Sequence, residues 1–415
     1  MKTKLFLVLP SISHYHSIFG YANSLHHDRN NIIFVGTRNF EELIVENNFQ
    51  FIEWQYGLEY TIKSFRAFLG LFIRNSIDNS LIDGLNEKFE LTFTSLRKII
   101  AETKPTTIFI DEVLAEYYLF FRNLGIETII LCTNLSTRKI KGIPPMDSFY
   151  QPKNSFYSNV ICNILWINRR FKNWLKRRIN SIAFMERGEK FLFQKYAESS
   201  KTDLNKLFDY KNYFFTGIIG TKRIILAEEN LEYPWKISLT NEDFFHNEII
   251  RNEKKHINEK YLYLLKKIKN FRKKSENKVI YISFGTVNSS KQKRIEKFYH
   301  LFYQSINPND NFIIIVSKSN YNADFELQTN TYVLDFIPQL DLLKNVDLMI
   351  THGGLNTIRE CIQNKVKMLV VPYFTNGDQP GNAKRVEYLG LGISVRLFGL
   401  TSKILRQKIN AVLYN

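Results

Sequence analysis

Short apolar runs alternate with amphipathic stretches along the first half of the chain. The runs "KLFLVLP", "NIIFVG", "TTIFID" and "ETIILC" are continuous and bounded by turns, as buried strands are. Between them, "HSIFGYANSLHH" and "VLAEYYLFFRNLG" repeat apolar residues at the spacing of a helix. Strands and helices that alternate in this way are typical of a parallel sheet covered on both faces. The pattern therefore predicts a doubly wound α/β domain over residues 1–235.

A second alternation follows a polar and charged segment, 236–276, which contains one predicted helix, "EKYLYLLKKIKNFRKK". Strands are predicted at "KVIYISFG", "NFIIIVS", "TYVLDF", "DLMITH" and "KMLVVPY", and helices at "RIEKFYHLFYQSI", "DLLKNV" and "GLNTIRECIQNK". We therefore expect a second doubly wound domain over 277–415, with 236–276 as the linker region. Ligands of open α/β sheets bind beyond the carboxyl ends of the strands, so two such domains facing each other would form a cleft.

Composition narrows the class of protein. Hydrophobic residues make up 44% of the 415 residues, which is enough for a core in each domain, and no apolar run is long enough to span a membrane. The start, "MKTKLFLVLP", is interpreted as a buried strand rather than a signal peptide, because its apolar run is short and stops at Pro10. Three widely spaced cysteines indicate neither a disulfide framework nor a zinc site, and we expect a reducing, cytoplasmic location.

The net charge of +17 is concentrated in two stretches, "NRRFKNWLKRR" at 168–178 and "KKIKNFRKK" at 266–274. No recognised nucleic-acid-binding module accompanies them, so nucleic-acid binding is not predicted. Two interpretations of the charge stay open. One is a lysine-rich solvated surface, and the other is peripheral contact with a membrane surface, at its inner face.

The stretch "ITHGGLNTIRE" combines a strand end, two glycines and the start of a helix. Unpaired backbone N–H groups and the helix dipole favour an anion there, and glycine allows the ligand to approach the backbone closely. His352 could donate a hydrogen bond to a phosphate, and Glu360, one turn beyond Thr357, could accept from ribose hydroxyls. The alternative is an ordinary helix cap with a core histidine.

The wider span from Phe336 to Asn382 resembles the nucleotide-sugar signature of family-1 glycosyltransferases. It keeps the order aromatic-x-Pro-Gln, Thr-His-x-Gly-x-Asn-Ser/Thr, Glu, Pro and Asp-Gln-x-x-Asn, and "KVIYISFGT" resembles the strand and glycine turn that open the family's donor domain. The resemblance, which extends to bacterial macrolide and zeaxanthin glucosyltransferases, implies the GT-B architecture. In that architecture two doubly wound parallel-sheet domains face each other across a cleft, the first binding the acceptor and the second the nucleotide sugar.

The resemblance also implies roles for individual positions. Phe336, where the family usually has tryptophan, would stack on uracil, and Gln339 would lie beside the nucleoside. The diphosphate would be held by Thr286, His352, Gly354, Asn356 and Thr357.

The remaining donor positions concern the two sugars of the nucleotide sugar. Glu360 would bind the ribose 2′- and 3′-hydroxyls, and Asp378 and Gln379 would bind the transferred sugar. In the family this Asp-Gln pair goes most often with glucose. Taken without the resemblance, Asp378 and Gln379 would be an ordinary turn before a helix.

Transfer of a sugar to a hydroxyl needs a general base, and "LPSISHYHS" places histidines where the first strand ends. The family reads Pro-x-x-Gly-His at this point, so His14 matches its catalytic histidine. Ser13 replaces the glycine, as in relatives resembling zeaxanthin glucosyltransferase. His16 is the competing candidate.

A histidine base works best when a carboxylate holds its tautomer, and "TTIFIDE" ends a strand at Asp111. The family has its histidine-orienting aspartate at this strand end, and parallel-sheet geometry brings both residues to the same rim. Glu112 is the alternative partner. Asp111 could instead be the N-cap of a helix that begins near Leu114.

These assignments imply direct displacement with inversion, in which UDP leaves into the positive site around His352. No Asp-x-Asp triplet occurs in the chain, so we expect independence from metal ions and no cofactor beyond the UDP-sugar substrate. The segments "SFRAFLGLFIRN" and "NILWINRRFKNWLKRR" are aromatic, basic and amphipathic. "KGIPPMDSFYQP" and "DQPGNAKR" resemble macrolide- and carotenoid-type relatives. Together they favour a lipophilic acceptor; the alternative is that the apolar residues only pack against their own domain.

Family members usually continue past "LTSKILRQKINAVLYN" with one more helix, so the C-terminal domain is expected to be short of it. Two other functions are considered. The shortened C-terminus favours a sugar-nucleotide-binding protein without transferase activity, whereas the presence of His14 and Asp111 argues against it. A UDP-N-acetylglucosamine epimerase would share the two-domain architecture but is disfavoured by the Asp-Gln pair.

Overall fold

The computed structural model divides the chain into two compact units that interleave along the sequence. The first unit comprises Met1–Pro145, Asn154–Leu226 and Lys236–Ile250, and the second comprises Met146–Lys153, Ala227–Trp235 and Arg251–Asn415. The structure describes residues 2–25, 31–54, 79–183, 189–234, 243–248, 257–285, 292–317 and 330–414.

The first unit contains a seven-stranded sheet in which all neighbouring strands are parallel, in the order β3-β2-β1-β4-β5-β8-β9. A short antiparallel pair, β6 and β7, lies outside it. The strands are β1 (Lys4–Leu7), β2 (Ile32–Gly36), β3 (Gln50–Glu53), β4 (Thr107–Asp111), β5 (Glu127–Cys132), β6 (Phe208–Asp209), β7 (Gly217–Ile218), β8 (Lys222–Ile225) and β9 (Asp243–Phe245).

Helices alternate with the strands of this sheet along the chain. Apolar side chains of the strands form a buried cluster on each face of the sheet. Leu5 and Leu7 of β1 enter one buried cluster, whereas Phe6 and Val8 enter another, because successive side chains of a strand point to opposite faces. The helices are α1 (Ile12–Ser24), α2 (Glu41–Glu46), α3 (Asn79–Thr103), α4 (Phe156–Ala183), α5 (Glu189–Ser199) and α6 (Leu204–Leu207).

One predicted helix has a different form. The run "VLAEYYLFFRNLG" forms a 3-10 helix, Glu112–Phe120, and further 3-10 turns occur at Arg38–Phe40 and Glu229–Leu231. Six of the nine residues of Glu112–Phe120 are buried, so tertiary packing around the segment, rather than its apolar spacing, determines the tighter winding.

The second unit contains a six-stranded parallel sheet in the order β12-β11-β10-β13-β14-β15. Its strands are β10 (Lys278–Ser283), β11 (Phe312–Ser317), β12 (Thr331–Leu334), β13 (Leu348–Thr351), β14 (Lys367–Val370) and β15 (Gly392–Ser394). Its helices are α7 (Glu259–Phe271), α8 (Gln292–Ser305), α9 (Gln339–Leu343), α10 (Leu355–Gln363), α11 (Gln379–Tyr388) and α12 (Ser402–Tyr414).

Short segments from earlier in the chain complete this second unit. The carbonyl of Met146 accepts a 2.9 Å hydrogen bond from the backbone N–H of Gly381. The buried guanidinium of Arg385 donates a 2.6 Å hydrogen bond to the carboxylate of Glu232. Helix α11 thus holds the segments around Met146 and Glu232.

Two parallel sheets with helices along the chain confirm the predicted doubly wound α/β class. The topology also places the ends of particular strands side by side. Strand β1 pairs with β4, and β10 pairs with β13, so the carboxyl ends of each pair are neighbours. The predicted residues His14 and Asp111 lie at the first of these edges, and His352 and Gly354 lie at the second. In the part of the chain that the structure describes, no helix has the length and apolar character needed to cross a membrane.

Candidate active site

His14 and Asp111 meet at the carboxyl ends of two paired strands. His14 lies in the first turn of α1, just beyond β1, and Asp111 is the last residue of β4. The Nδ1 atom of His14 lies 2.6 Å from Oδ2 of Asp111. An ionised carboxylate can only accept, so Nδ1 carries the proton of the neutral ring and Nε2 carries the lone pair. The pair therefore has the tautomer that a general base acting through Nε2 requires.

Asp111 has two structural roles at once. Its Oδ1 accepts a 3.1 Å hydrogen bond from the backbone N–H of Val113 and so caps the 3-10 helix, while Oδ2 faces His14. The backbone N–H of Leu9 lies 3.4 Å from the same Oδ2. Since the side chain is fully buried, these bonds fix the carboxylate and with it the plane of the imidazole. Both interpretations of Asp111, as a cap and as a histidine partner, thus describe contacts that exist.

The competing candidates, His16 and Glu112, make other contacts. The ring of His16 packs edge-on against Phe19, with centroids 6.5 Å apart. The carboxylate of Glu112 accepts a 3.2 Å hydrogen bond from Asn134 and lies 3.9 Å from Arg223. Burial raises the pKa of Glu112 to about 7, against the opposing effect of Arg223.

A chain of side chains connects this buried carboxylate to the histidine. The side-chain amide of Asn134 donates to Glu112 and also, at 3.2 Å, to the hydroxyl of Thr133. The Thr133 hydroxyl in turn lies 3.2 Å from Nδ1 of His14. Thr133 and Asn134 follow directly after β5, the strand next to β4, so the same edge of the sheet supplies all three contacts.

Arg223 of β8 anchors the far end of this chain. It is 2% exposed, and it donates to Asp243 at 2.9 Å and to Thr137 at 2.7 Å. It also donates to the sulfur of Cys132 at 3.1 Å. Burial lowers the pKa of Arg223, but Cys132, Asp243 and Glu112 around the guanidinium raise it overall, so a positive charge is fixed behind the His14 site.

In the second unit, His352 follows β13 in a cradle of glycines. Gly353 has a φ of +93°, and a Cβ there would lie 2.8 Å from Cγ1 of Val370. A Cβ on Gly354 would lie 2.7 Å from Nε2 of His352. The sequence uses glycine here because any side chain would collide with the strand or with the imidazole.

The imidazole of His352 is electrostatically unusual. Its Nδ1 atom is buried and has no hydrogen-bond partner among the described residues. Burial lowers the pKa of His352 to about 4, so the ring is neutral at physiological pH. The ring packs beside Tyr373, with centroids 5.6 Å apart, next to the N-terminus of α10. An orphaned donor or acceptor beside a helix N-terminus is suited to a phosphate oxygen.

Gln339 and Glu360 form a buried pair beside this turn. The amide of Gln339, the first residue of α9, donates to Oε2 of Glu360 at 2.5 Å and to the hydroxyl of Thr357 at 3.3 Å. Its carbonyl accepts from the hydroxyl of Tyr281 at 3.2 Å. Three predicted donor-site residues, Gln339, Thr357 and Glu360, are thus joined directly.

Asp378 and Gln379 open α11 on the other side of the glycine turn. Oε1 of Gln379 accepts from the backbone N–H groups of Tyr373 and Phe374, at 3.2 and 2.9 Å. An amide oxygen only accepts, so any hydrogen bond that Gln379 donates comes from its side-chain NH2 group. The carboxylate of Asp378 accepts from Asn382 at 2.7 Å, and Asn382 also donates to the carbonyl of Gly353 at 2.9 Å.

The remaining predicted donor-site positions are Phe336, Asn356 and Thr286. Phe336 is 42% exposed and presents an aromatic surface just before α9. Asn356 lies in the first turn of α10. Thr286 lies outside the described residues. Among those residues, no group of three or more His, Cys, Asp or Glu side chains has a metal-binding arrangement.

Sequence reasoning missed several residues that hold the site. They are Thr133 and Asn134 near His14, and Tyr281, Tyr373 and Asn382 around the glycine turn. Asn382 had a signal, since it closes the Asp-Gln-x-x-Asn pattern at one helical turn from Asp378. Thr133 had a weaker signal, as a polar residue directly after a buried strand.

Comparison with known proteins identifies the family of this chain. A sequence model described as "UDP-glucoronosyl and UDP-glucosyl transferase" matches residues 173–415. The chain is 31% identical over 142 residues to an uncharacterised UDP-glucosyltransferase, YdhE, of Bacillus subtilis, covering 34% of each protein. It is 41% identical over 82 residues to UDP-glucuronosyltransferase 3A1 of Mus musculus, covering 19% of this chain and 15% of that protein. The chain thus spans about a third or less of these relatives.

Solved structures match the fold over the whole chain. A glycosyltransferase of kitacinnamycin superposes with a TM-score of 0.67 at 15% identity, covering 100% of this chain and 91% of the other. The spinosyn forosaminyltransferase SpnP gives 0.63 at 16% identity, covering 100% and 90%. At these identities the likeness establishes the fold, which is the GT-B fold of glycosyltransferases.

The two parallel sheets and the family match define the class. The chain belongs to the UDP-glucuronosyl and UDP-glucosyl transferase family. The resemblance seen in the sequence between Phe336 and Asn382 is confirmed at the level of the family.

Proposed function

We propose that this protein transfers a hexose, glucose, from a UDP-sugar to a hydroxyl group of a lipophilic small molecule, with inversion at the anomeric carbon. The observation that carries the proposal is the 2.6 Å contact between His14 Nδ1 and Asp111 Oδ2, at the carboxyl edge of a parallel sheet in a member of this family. A buried carboxylate that orients a histidine ring is the arrangement needed to remove a proton from an alcohol.

His14 is the general base in the proposed reaction. Its Nε2 lone pair takes the proton of the acceptor hydroxyl as the oxygen attacks the anomeric carbon. The bond from that carbon to the UDP oxygen breaks, and UDP leaves with the electron pair. The carboxylate of Asp111 stabilises the imidazolium that forms. One displacement of this kind inverts the anomeric configuration.

The donor would bind at the glycine turn of the second unit. The backbone N–H groups at the start of α10 and the orphaned Nδ1 of His352 support a diphosphate there. Glu360, held by Gln339, supports recognition of the ribose hydroxyls. The amide group of Gln379 and the carboxylate of Asp378 are the proposed contacts of the hexose.

The acceptor is proposed to be apolar. Support comes from the aromatic and amphipathic stretch that forms α4, which lies in the proposed acceptor-binding unit and leaves many large apolar side chains exposed. A lipophilic acceptor would be met at a membrane surface, so a peripheral location is part of the proposal.

The decisive experiment measures UDP release from UDP-glucose with a panel of lipophilic and phenolic alcohols in EDTA. Wild type is compared with His14→Ala and with His16→Ala as the matched control. We expect acceptor-dependent release that survives EDTA, persists in His16→Ala and falls roughly 10²-fold or more in His14→Ala.

Other outcomes would change the assignment. Saturable UDP binding without release by any acceptor would favour a sugar-nucleotide-binding protein. Appearance of an epimerised UDP-sugar without acceptor would favour an epimerase. Equal loss in both histidine variants would remove His14 from its proposed role.

A further inference from the structure

The long helix α4 exposes an apolar face along most of its length. The six most exposed side chains on this face are 52% to 81% exposed: Phe156, Tyr157, Ile164, Ile167, Phe171 and Trp174. We call these six the outer face of α4. At roughly 100° per residue they lie within an arc of about 100°. Large apolar residues gathered on one exposed face, rather than scattered, indicate an interaction site.

The opposite side of the helix is the one that packs against the protein. Cys162 and Trp166 are each 1% exposed, and the indole N–H of Trp166 donates a 2.9 Å hydrogen bond to the carbonyl of Ile143. The guanidinium of Arg169 lies 3.7 Å from the ring centroid of Phe214. The helix is thus held in place through its inner side, so the outer face is not needed for that attachment.

The charge of α4 identifies the partner. The helix contains six cations, Arg169, Arg170, Lys172, Lys176, Arg177 and Arg178, and the sequence has no acidic residue between Asp147 and Glu186. By helical spacing, Arg170 flanks the outer face on one side and Lys172 on the other. Within the described part of the chain, no carboxylate forms an ion pair with Lys172, Lys176 or Arg178.

We propose that the outer face of α4 docks the protein on an anionic lipid bilayer. Aromatic and aliphatic side chains would enter the boundary between headgroups and acyl chains, while the flanking cations contact lipid phosphates. The 28-residue helix is about 42 Å long and would lie in the plane of the interface. Within the described residues no helix is apolar enough to span the bilayer, as expected for a helix that lies on the surface.

A second copy of the chain is a poorer partner for this face. Two α4 helices that met through their outer faces would bring the flanking cations Arg170 and Lys172 of each helix close together, with no acidic residue in either helix to offset them. A bilayer with anionic headgroups reverses the sign of that interaction. The proposal concerns a surface and does not depend on the catalytic roles of His14 or Asp111.

The test sediments the full chain with vesicles of phosphatidylcholine alone and with vesicles that also contain phosphatidylglycerol. We expect pelleting with the anionic vesicles only, and a decrease as salt is raised. Quenching of tryptophan fluorescence by acyl-brominated lipids, which is lost in Trp174→Phe, would place the outer face below the headgroups. Wild-type protein that stays in the supernatant with anionic vesicles at low salt would overturn the proposal.

Matched variants distinguish binding through the outer face of α4 from nonspecific adsorption to vesicles. Phe171→Ser with Trp174→Ser is compared with Phe398→Ser, whose side chain is 96% exposed in the second unit. Lys172→Glu is compared with Lys266→Glu on α7. We expect each outer-face variant to weaken vesicle binding about tenfold or more and each control to bind like wild type. Equal effects in face and control variants would contradict the proposal.

Two further measurements keep the result interpretable. Circular dichroism and UDP affinity should be unchanged in the outer-face variants, because these side chains lie outside the protein core. If the double serine variant fails to fold, Lys172→Glu alone still tests the charge. Light scattering that shows a wild-type dimer, abolished by the outer-face substitutions and without vesicle binding, would assign the face to self-association instead.

Discussion

The side-chain amide of Gln339 donates a 2.5 Å hydrogen bond to the carboxylate of Glu360, and both residues are buried. Gln339 opens α9 and Glu360 lies in the second turn of α10, so this bond fixes the carboxylate relative to the start of the helix. A carboxylate fixed in this way can accept further hydrogen bonds only from donors placed in a particular direction. The proposed recognition of ribose hydroxyls requires such a fixed acceptor.

Glu360→Gln should therefore reduce discrimination between UDP and 2′-deoxy-UDP. In the wild type we expect calorimetric titration to show tighter binding of UDP, by about tenfold or more, because a ribose hydroxyl donates to a charged acceptor. The neutral amide should remove most of that difference. Glu296→Gln, on α8, serves as the control. An unchanged preference in Glu360→Gln would exclude Glu360 from ribose recognition.

Asp111→Asn should lower kcat with little effect on KM for the donor. The amide cannot stabilise an imidazolium at His14, so we expect a loss of roughly 10²- to 10⁴-fold in the steady-state rate. Thr133→Val removes only the 3.2 Å contact with the same ring nitrogen and should cost far less. A Thr133→Val loss as large as that of Asp111→Asn would show that the carboxylate is not the main partner of the base.

His352 should make both stability and UDP binding depend on pH. Its pKa is about 4 in the folded protein and near 6.5 when unfolded, so the unfolded state binds the extra proton first. Stability of the free protein is then unaffected above about pH 6.5 and falls as pH drops towards 4, by up to about 3 kcal/mol. Urea unfolding at several pH values would show a shallower decrease in His352→Asn.

A bound diphosphate should reverse this preference, because a nearby negative charge favours the imidazolium. UDP binding near pH 5.5 should therefore take up protons. Calorimetry in buffers of different ionisation enthalpy measures that uptake directly. Uptake of equal size in wild type and His352→Asn would show that the phosphates lie away from this ring.

Gly353→Ala should destabilise the protein more than Gly390→Ala. Both glycines have positive φ, but a Cβ on Gly353 would collide with Val370 at 2.8 Å, whereas nothing lies within 4 Å of a Cβ on Gly390. We expect a cost of about 1 kcal/mol at Gly390 and several times that at Gly353. UDP binding should weaken only in Gly353→Ala. Similar unfolding midpoints for the two variants would contradict the proposed close packing of this turn.

Arg223→Met should be strongly destabilising. It would remove the 2.9 Å partner of the buried Asp243, which would keep only its 3.0 Å ion pair with Arg138, at a cost of roughly 3 kcal/mol. Arg272→Met, which breaks a partly exposed ion pair with Asp347, should cost about 1 kcal/mol or less. Denaturant titration of both variants compares them. Arg223→Met should also raise the pKa of Glu112 further, since the charge of Arg223 is the largest of the effects that lower it.

The sheets could be predicted from the sequence because each buried strand is a continuous apolar run between turns. Strand β4 and strand β10 follow directly from "TTIFID" and "KVIYIS". Positions at strand ends could also be predicted, since parallel pairing brings His14 and Asp111 to one edge. Their 2.6 Å contact fits that geometry, while their roles stay predictions.

Other features depend on contacts that no local pattern encodes. The winding of Glu112–Phe120 as a 3-10 helix is set by the packing of its six buried residues. Thr133 and Asn134 contact residues far away in the chain, so only the folded sheet selects them. The burial of Arg223 could not be predicted either, because nothing in the sequence distinguishes it from the other 56 lysines and arginines.

The interleaving of the two units has a consequence for how the protein is made. A fragment limited to 251–415 would contain Arg385 and Arg359 but neither Glu232 nor Glu228, to which these buried guanidiniums donate. Residues 146–153 and 227–235 are synthesised well before α10 and α11. We expect both segments to stay unfolded, or bound to chaperones, until these two helices have been translated.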